Sequence, residues 1–190
     1  MSEQEIQFTV PFDVIPLPSK GLLYPEIGES IKVEYMTAED ENILTSPNLL
    51  QSGKVLDVLM ERKIKEKGIN AKDLLIGDRN AIMVFLRATA YGEMYPVKLT
   101  DPETGEEFET EINLNDLETK EIGASPDENG YFSFYLERTK KTVKFRLLTA
   151  KDEEDLVKGE EKRQKLLKNQ ISSLLTTRLS TQIMDVEGET

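Results

Sequence analysis

One short pattern occurs twice in this chain and sets much of what it can fold into. KVEYMTAEDENIL spans residues 32–44 and KFRLLTAKDEEDL spans residues 144–156. Aligned from Val33 and Phe145, Thr37, Ala38, Asp40, Glu41 and Leu44 fall opposite Thr149, Ala150, Asp152, Glu153 and Leu156. Each copy begins with residues that alternate apolar and polar, the period of a half-buried strand. A threonine then precedes an acid by three positions. That spacing lets the acid's carboxylate reach back to the threonine N–H in a capping box, and acids in a first turn also suit the helix dipole. Each copy therefore reads as strand, cap and helix start, which predicts a mixed α and β fold. Independent use of a common local grammar explains the duplication, and so does an internal repeat with two helices docked equivalently on one sheet. Capping accounts for Asp40, Glu41, Asp152 and Glu153, so these acids make weak metal ligands.

Residues 1–30 form an opening arm punctuated by Pro11, Pro16, Pro18 and Pro25. Proline lacks a ladder donor and biases the preceding residue to extended geometry. Phe8, Val10, Phe12, Val14, Ile15, Leu17, Leu22, Leu23 and Tyr24 are too apolar for a free tail. The arm is expected to lie along a body, its own or a partner's. Residues 31–122 read as a helical body with a first hairpin, 123–149 as a connector and second hairpin, and 150–190 as a C-terminal helical region.

Within the body, a helix is predicted over residues 52–67. Val55, Leu56, Leu59 and Ile64 form its apolar face, and Glu61, Lys63, Lys65, Glu66 and Lys67 its wet side. Gly68 serves as the stop. A short helix is predicted over residues 71–75. Asp78 is the expected N-cap of a core helix over residues 79–92, with Ile82, Met83, Phe85, Leu86 and Tyr91 inward. Arg79 and Arg87 suit acid partners better than bound anions. Runs 95–99 and 107–112 flank DPETGE, a hairpin turn by its Asp, Pro and Gly. A second hairpin turns at residues 138–141, with Tyr131, Ser133 and Tyr135 alternating. From residue 150 the chain favours helix, with a partial stripe of Leu156, Leu166, Leu167, Ile171, Leu174, Leu175 and Leu179 that needs a partner. Gly159 allows a division into two helices.

Composition removes several classes of chemistry. The 190 residues contain no Cys and no His. Disulfides, the usual zinc sites and nucleophiles paired with imidazole are therefore absent. Residues 19–21, SKG, lack the spacing of a phosphate loop, and no dinucleotide or EF-hand pattern occurs. The net charge is −12, a surface that repels phosphate backbones, so no nucleic acid partner is expected. No apolar run is long enough for a membrane span, and no secretory signal opens the chain.

Taken in order, LPSKGLLYP (17–25), TAEDENIL (37–44), LLQSGKVLDVLMERKI (49–64), LLIGDRNAIMVFLRATAYGEMYPV (74–97) and a hairpin ending in INLNDL (112–117) resemble the baseplate hub and hub assembly proteins of T-even-type contractile-tailed bacteriophages. The resemblance implies no enzymatic activity, no catalytic residue and no cofactor. It implies protein contacts during tail assembly, with other hub proteins and the tape-measure protein as partners. It also implies work in the host cytoplasm and a place in the virion tail baseplate, as a kept part or as an assembly chaperone. Relatives often carry paired Cys at the hairpin as a zinc knuckle; here VKLTDPETGEEFETEINL has none, so a plain turn is expected and no metal. Relatives also tend to continue past the position where this chain stops.

The expected fold is α+β: a helical body, two β-hairpins and a long C-terminal helix. The expected partner-binding residues are Leu17, Leu22, Leu23 and Tyr24 in the arm, and Leu167, Leu174 and Leu175 in the late stripe. Self-association of this chain is left open. Two other functions fit the residues: an acidic cytosolic adaptor outside any virion, and a carboxylate-based hydrolase. The hydrolase requires a deep pocket with two close acids of raised pKa.

Overall fold

The computed structural model describes residues 9–119, 123–167 and 172–187. Its strands are β1 (Phe12–Pro16), β2 (Ser30–Glu34), β3 (Met94–Thr100), β4 (Glu107–Asn113), β5 (Phe132–Leu136), β6 (Lys141–Phe145) and β7 (Ile183–Val186). Its helices are α1 (Ala38–Leu44), α2 (Pro47–Ser52), α3 (Val55–Lys63), α4 (Ile76–Tyr91), α5 (Ala150–Leu167) and α6 (Leu174–Gln182). The fold is α+β, as the alternation of strand and helix signals predicts. The strands form three small antiparallel sheets, β1–β2, β3–β4 and β5–β6–β7.

The arm is itself a strand. Phe12 pairs with Glu34 and Pro16 with Ser30, so β1 runs antiparallel along β2. Prolines are tolerated there because β1 has a free edge. Between the two strands, residues 17–29 fold into successive turns. The Leu17 N–H donates to Glu29 O at 2.8 Å, Tyr24 N–H to Gly21 O at 3.0 Å, and Ile27 N–H to Tyr24 O at 3.0 Å. Gly21 sits at φ +76°, and a Cβ there would lie 2.3 Å from the Gly28 carbonyl oxygen. Only glycine fits this crossing of the loop.

The core gathers Leu17, Ile31 and Val33 from the first sheet, Leu59 and Met60 from α3, Ala71 and Leu74, and Ile82 and Leu86 from α4. Three helix predictions change. Helix begins at Pro47 rather than near residue 52, and it breaks at Gly53, whose φ of 67° caps α2. Residues 71–75 are turns rather than a helix, with Asn70 accepting from the Lys72 N–H at 2.9 Å. Helix α4 starts at Ile76, capped from Leu75, so Asp78 lies inside the first turn and is not the cap. The earlier start follows from long-range pairing, which places the Ile76 N–H 3.2 Å from Leu148 O and bridges Leu75 to Thr149.

Both capping boxes form. The Thr37 N–H donates to Asp40 at 2.7 Å, and the Thr149 N–H donates to Asp152 at 2.9 Å. The two copies do not dock on one sheet. β2 pairs with β1, whereas β6 lies between β5 and β7. Asp40 faces the end of α3, but Asp152 is held by Arg146 at 2.7 and 2.8 Å. The duplication is thus a shared local grammar in two different tertiary settings.

The C-terminal region holds two helices and then a strand. Gly159 sits inside α5, and the division falls between Leu167 and Leu174. Residues 183–186, expected as helix, pair with β6 through Val143–Val186 and Lys144–Asp185. The open edge of β6 supplies hydrogen-bond partners that no local pattern reveals, and Ile183 and Val186 are β-branched. In β5 the buried side chain is Phe132, 2% exposed, stacked on Phe145. The alternate set, Tyr131, Ser133 and Tyr135, is not the inward one.

Ion pairs tie α5 to the body. Lys72 bridges Asp57 at 3.4 Å and Glu154 at 2.7 Å, and Arg79 meets Asp57 at 2.8 Å. The Arg146 guanidinium holds the Asp152 carboxyl down at about 2, with Thr149 helping against partial burial. The Lys158 and Lys72 ammonium groups hold Glu154 at about 2. Both folded values lie below the ordinary 3.8 and 4.5. Their stabilisation is therefore complete above the ordinary range and is lost as pH falls toward about 2. Chemical denaturation between pH 6 and about 2 should show stability falling mainly below about pH 4.5. A variant carrying Asp152→Asn and Glu154→Gln should show a shallower decline; an unchanged slope would rule these groups out as its source.

Candidate interaction surfaces

The arm loop is held to α4 by a buried carboxylate. Asp78 accepts from the Ser19 N–H at 2.8 Å, from the Ser19 hydroxyl at 2.5 Å and from the Tyr24 hydroxyl. Burial pushes the Asp78 carboxyl above its ordinary value, while the two Ser19 bonds pull it back down. The Tyr24 oxygen also lies 3.4 Å from the Leu75 N–H. Of the four arm residues expected to face a partner, Leu17 lies in the core and Tyr24 is half-buried against Asp78. Leu22 is half-buried and Leu23 is 44% exposed. A cleft of about 580 Å³ opens beside this loop, bordered by Pro16, Pro18, Leu22, Ala124, Pro126 and Phe132.

On the late stripe, Leu156 is buried against the body. Leu174 is half-buried, Leu175 is 70% exposed and Leu179 is exposed. Leu167 is the last residue of α5; its side chain, that of Leu166, and Ile171 lie outside the described residues. The Arg178–Glu153 ion pair ties α6 to α5.

A further exposed apolar surface lies outside the residues expected to bind a partner. β3 and β4 form a two-stranded sheet whose extensive packing is of one strand on the other. Their register pairs Tyr95 with Ile112, Val97 with Thr110 and Leu99 with Phe108. Cross-strand partners share a face. One face therefore carries these six side chains, while the other carries Lys98, Glu107, Glu109 and Glu111. The base of the hairpin is clamped to α4: the Arg87 guanidinium lies 5.1 Å from the Tyr91 ring centre and 5.3 Å from that of Tyr95. Arg87 also donates to Gly92 O at 3.1 Å, and Asn115 Nδ2 donates to Glu93 at 2.7 Å. The alternation was legible in VKL and FETEI; what it lacked was the register that sums two weak stripes into one face.

The turn of this hairpin is held by Asp101, which accepts from the Glu103 N–H at 2.8 Å and the Thr104 N–H at 3.2 Å. These two amides hold the Asp101 carboxyl below its ordinary value. Without Cys or His the turn lacks the donor set of a zinc knuckle.

Four further acids have structural roles. Asp40 and Asp152 cap helices, Asp57 meets Arg79 and Lys72, and Asp127 accepts the N–H groups of Asn129 and Tyr131 in a turn. Among the described residues, no cluster of three or more acids is placed to hold a metal ion, and no helix is long and apolar enough to cross a membrane.

Arm loop, helical body and exposed hairpin together make up the region that matches a family model. The model describes the T4 bacteriophage base plate protein, and the match runs over residues 17–133. This chain belongs to that family. The match covers the core, the Asp78 latch and the whole β3–β4 hairpin, so these are features of a base plate protein. The second capping box, α5, α6 and β7 lie beyond it. Neither curated proteins nor solved structures give a match. A family of structural tail parts implies a non-enzymatic role and contacts with other baseplate proteins in the virion tail.

Proposed function

We propose that this base plate protein works at the baseplate hub, as a hub component or hub assembly chaperone, through protein contacts made during tail assembly. The observation that carries this reading is the family match, which spans the arm loop, the body and the hairpin as one ordered set. An acidic surface of net charge −12 supports it, because it limits self-association and favours partners with basic segments. Exposed Leu23 and Leu175, flanked by half-buried Leu22 and Leu174, are the proposed contacts on the arm and on α6. Leu167 belongs to the same proposed stripe. Hub proteins and the tape-measure protein are the proposed partners, and the host cytoplasm is the proposed place of assembly. We assign it no catalysis: Asp78, the carboxyl pushed upward, is closed in by Ser19 and Tyr24 rather than paired with a second acid.

The test is affinity capture of tagged protein from infected cells, with mass spectrometry of the captured proteins and of purified particles. Hub and tape-measure proteins are expected among the captured set. Presence in particles marks a structural part, and capture without presence marks a chaperone. Capture of no tail protein overturns the reading. A variant with Leu23→Asp and Leu175→Asp should keep its circular dichroism spectrum and recover about tenfold less partner, corresponding to about 1.4 kcal/mol.

A further inference from the structure

We propose that the β3–β4 hairpin is a docking element, and that its occupant is a baseplate protein offering an apolar groove walled by lysine and arginine. This rests on the hub reading above and adds the site and the partner's chemistry.

The argument begins with what the hairpin lacks. Two strands alone are marginal in water, and stable sheets pack a face on something. Here Tyr95, Leu99, Phe108 and Ile112 are exposed on one face, and exposed Tyr91 lies at the base beside Arg87. Contiguous apolar surface of this kind on a monomer marks an interaction site. The hairpin is also held ready. Seven residues per strand extend roughly 23 Å, and the clamp of Arg87 between two tyrosines fixes the direction.

Charge selects the occupant. Residues 94–113 hold one lysine and six acids. Lys98 pairs with Glu107 at 2.5 Å, and Asp101 is engaged by its own turn. Glu109 and Glu111 carry no ion pair among the described residues and stand on the face opposite the apolar one. A groove that receives the apolar face brings its walls beside a hairpin of six acids and one lysine, so basic walls are attractive and acidic walls repulsive. A second copy would bring the same six acids and the same net charge of −12 to the contact and is disfavoured on the same ground. The β5–β6–β7 sheet also exposes Phe134 and Tyr135, but no comparable bias in charge names its partner.

The experiment uses the full chain and the baseplate proteins it captures. A photocrosslinking amino acid in place of Thr110, at the centre of the apolar face, should join to a baseplate protein at a site flanked by Lys or Arg. Leu99→Glu with Phe108→Glu should lower affinity at least tenfold with an unchanged unfolding midpoint. Glu109→Lys with Glu111→Lys, away from the apolar contact, should also weaken binding and flatten its salt dependence. Crosslinks to a second copy, or to an acidic site, overturn the proposal. Equal capture of baseplate proteins by wild type and by the Leu99 and Phe108 variant overturns the hairpin and leaves the hub reading standing. Capture of none by wild type overturns the hub reading first.

Discussion

Lys63→Met should destabilise the protein by about 3–5 kcal/mol, the range for removing one partner of a buried ion pair. Lys63 ends α3 and is 1% exposed, although its sequence neighbours place it on a wet face. Its ammonium lies 2.6 Å from Asp40 Oδ2 and donates to the Tyr35 carbonyl at 3.0 Å. Asp40 is fully buried; burial pushes its carboxyl up, but Lys63 and the Thr37 N–H and hydroxyl outweigh that and hold it below its ordinary value. Methionine keeps the aliphatic stem and leaves a buried carboxylate facing Arg62, whose Nε is 2.9 Å from Oδ1. Urea unfolding measures the loss. Adding Asp40→Asn should restore part of it, because the buried charge left with only the partly exposed Arg62 is then gone. A loss below about 1 kcal/mol, the range of exposed pairs, would show that water reaches the pair.

Asp78→Ala should cost about 2–4 kcal/mol and release the arm loop. It removes the acceptor of two hydroxyls and one N–H, and buried donors left unsatisfied cost about 1–3 kcal/mol each. The upper sum is reduced because Ser19 is only half-buried and gains water when the loop opens. Hydrogen exchange should accelerate at residues 17–24 well beyond the rise seen in the body. Uniform acceleration would mean that the latch serves global stability alone. Asp78→Asn keeps an acceptor for the Ser19 donors and should lose less. Because burial raises the Asp78 carboxyl, its ionised form costs stability above the folded value, and lowering pH through that value relieves the cost. This opposes the acid loss from Asp152 and Glu154, so Asp78→Asn should steepen the net decline at low pH.

The parts of the fold legible in the sequence are those decided within a few residues. Thr37 and Asp40 are three apart, as are Thr149 and Asp152, and both boxes form as their spacing predicts. DPETGE makes its turn because Asp101 bonds the two N–H groups that follow it closely. The apolar density of residues 79–92 identifies α4, although its first residues are set from Leu148.

Contacts across long stretches of chain were not legible. Ser19 meets Asp78 across 59 positions, and Lys63 reaches Tyr35 across 28. A charged residue at a helix end is read as solvated unless its partner is known, and Asp78 in the first turn of a helix looks like a cap when it is a latch. β7 depends on the free edge of β6, which no pattern within residues 183–186 announces. The arm and late-stripe leucines stand out in the sequence by apolarity alone. Burial then divided them, taking Leu17 into the core and leaving Leu23 and Leu175 outside.

The amino-acid order by itself determined the α+β character, the two caps, the two hairpin turns, the missing thiol and imidazole chemistry, and the family. Each follows from local hydrogen bonding, from side-chain periodicity, or from the order of motifs. Tertiary structure alone decided which carboxylates are buried, which strand closes the third sheet, and that the stripes of β3 and β4 add up to one exposed face. Register and burial are properties of pairs distant in the chain, and a side chain's energy changes sign according to what the other member of the pair supplies.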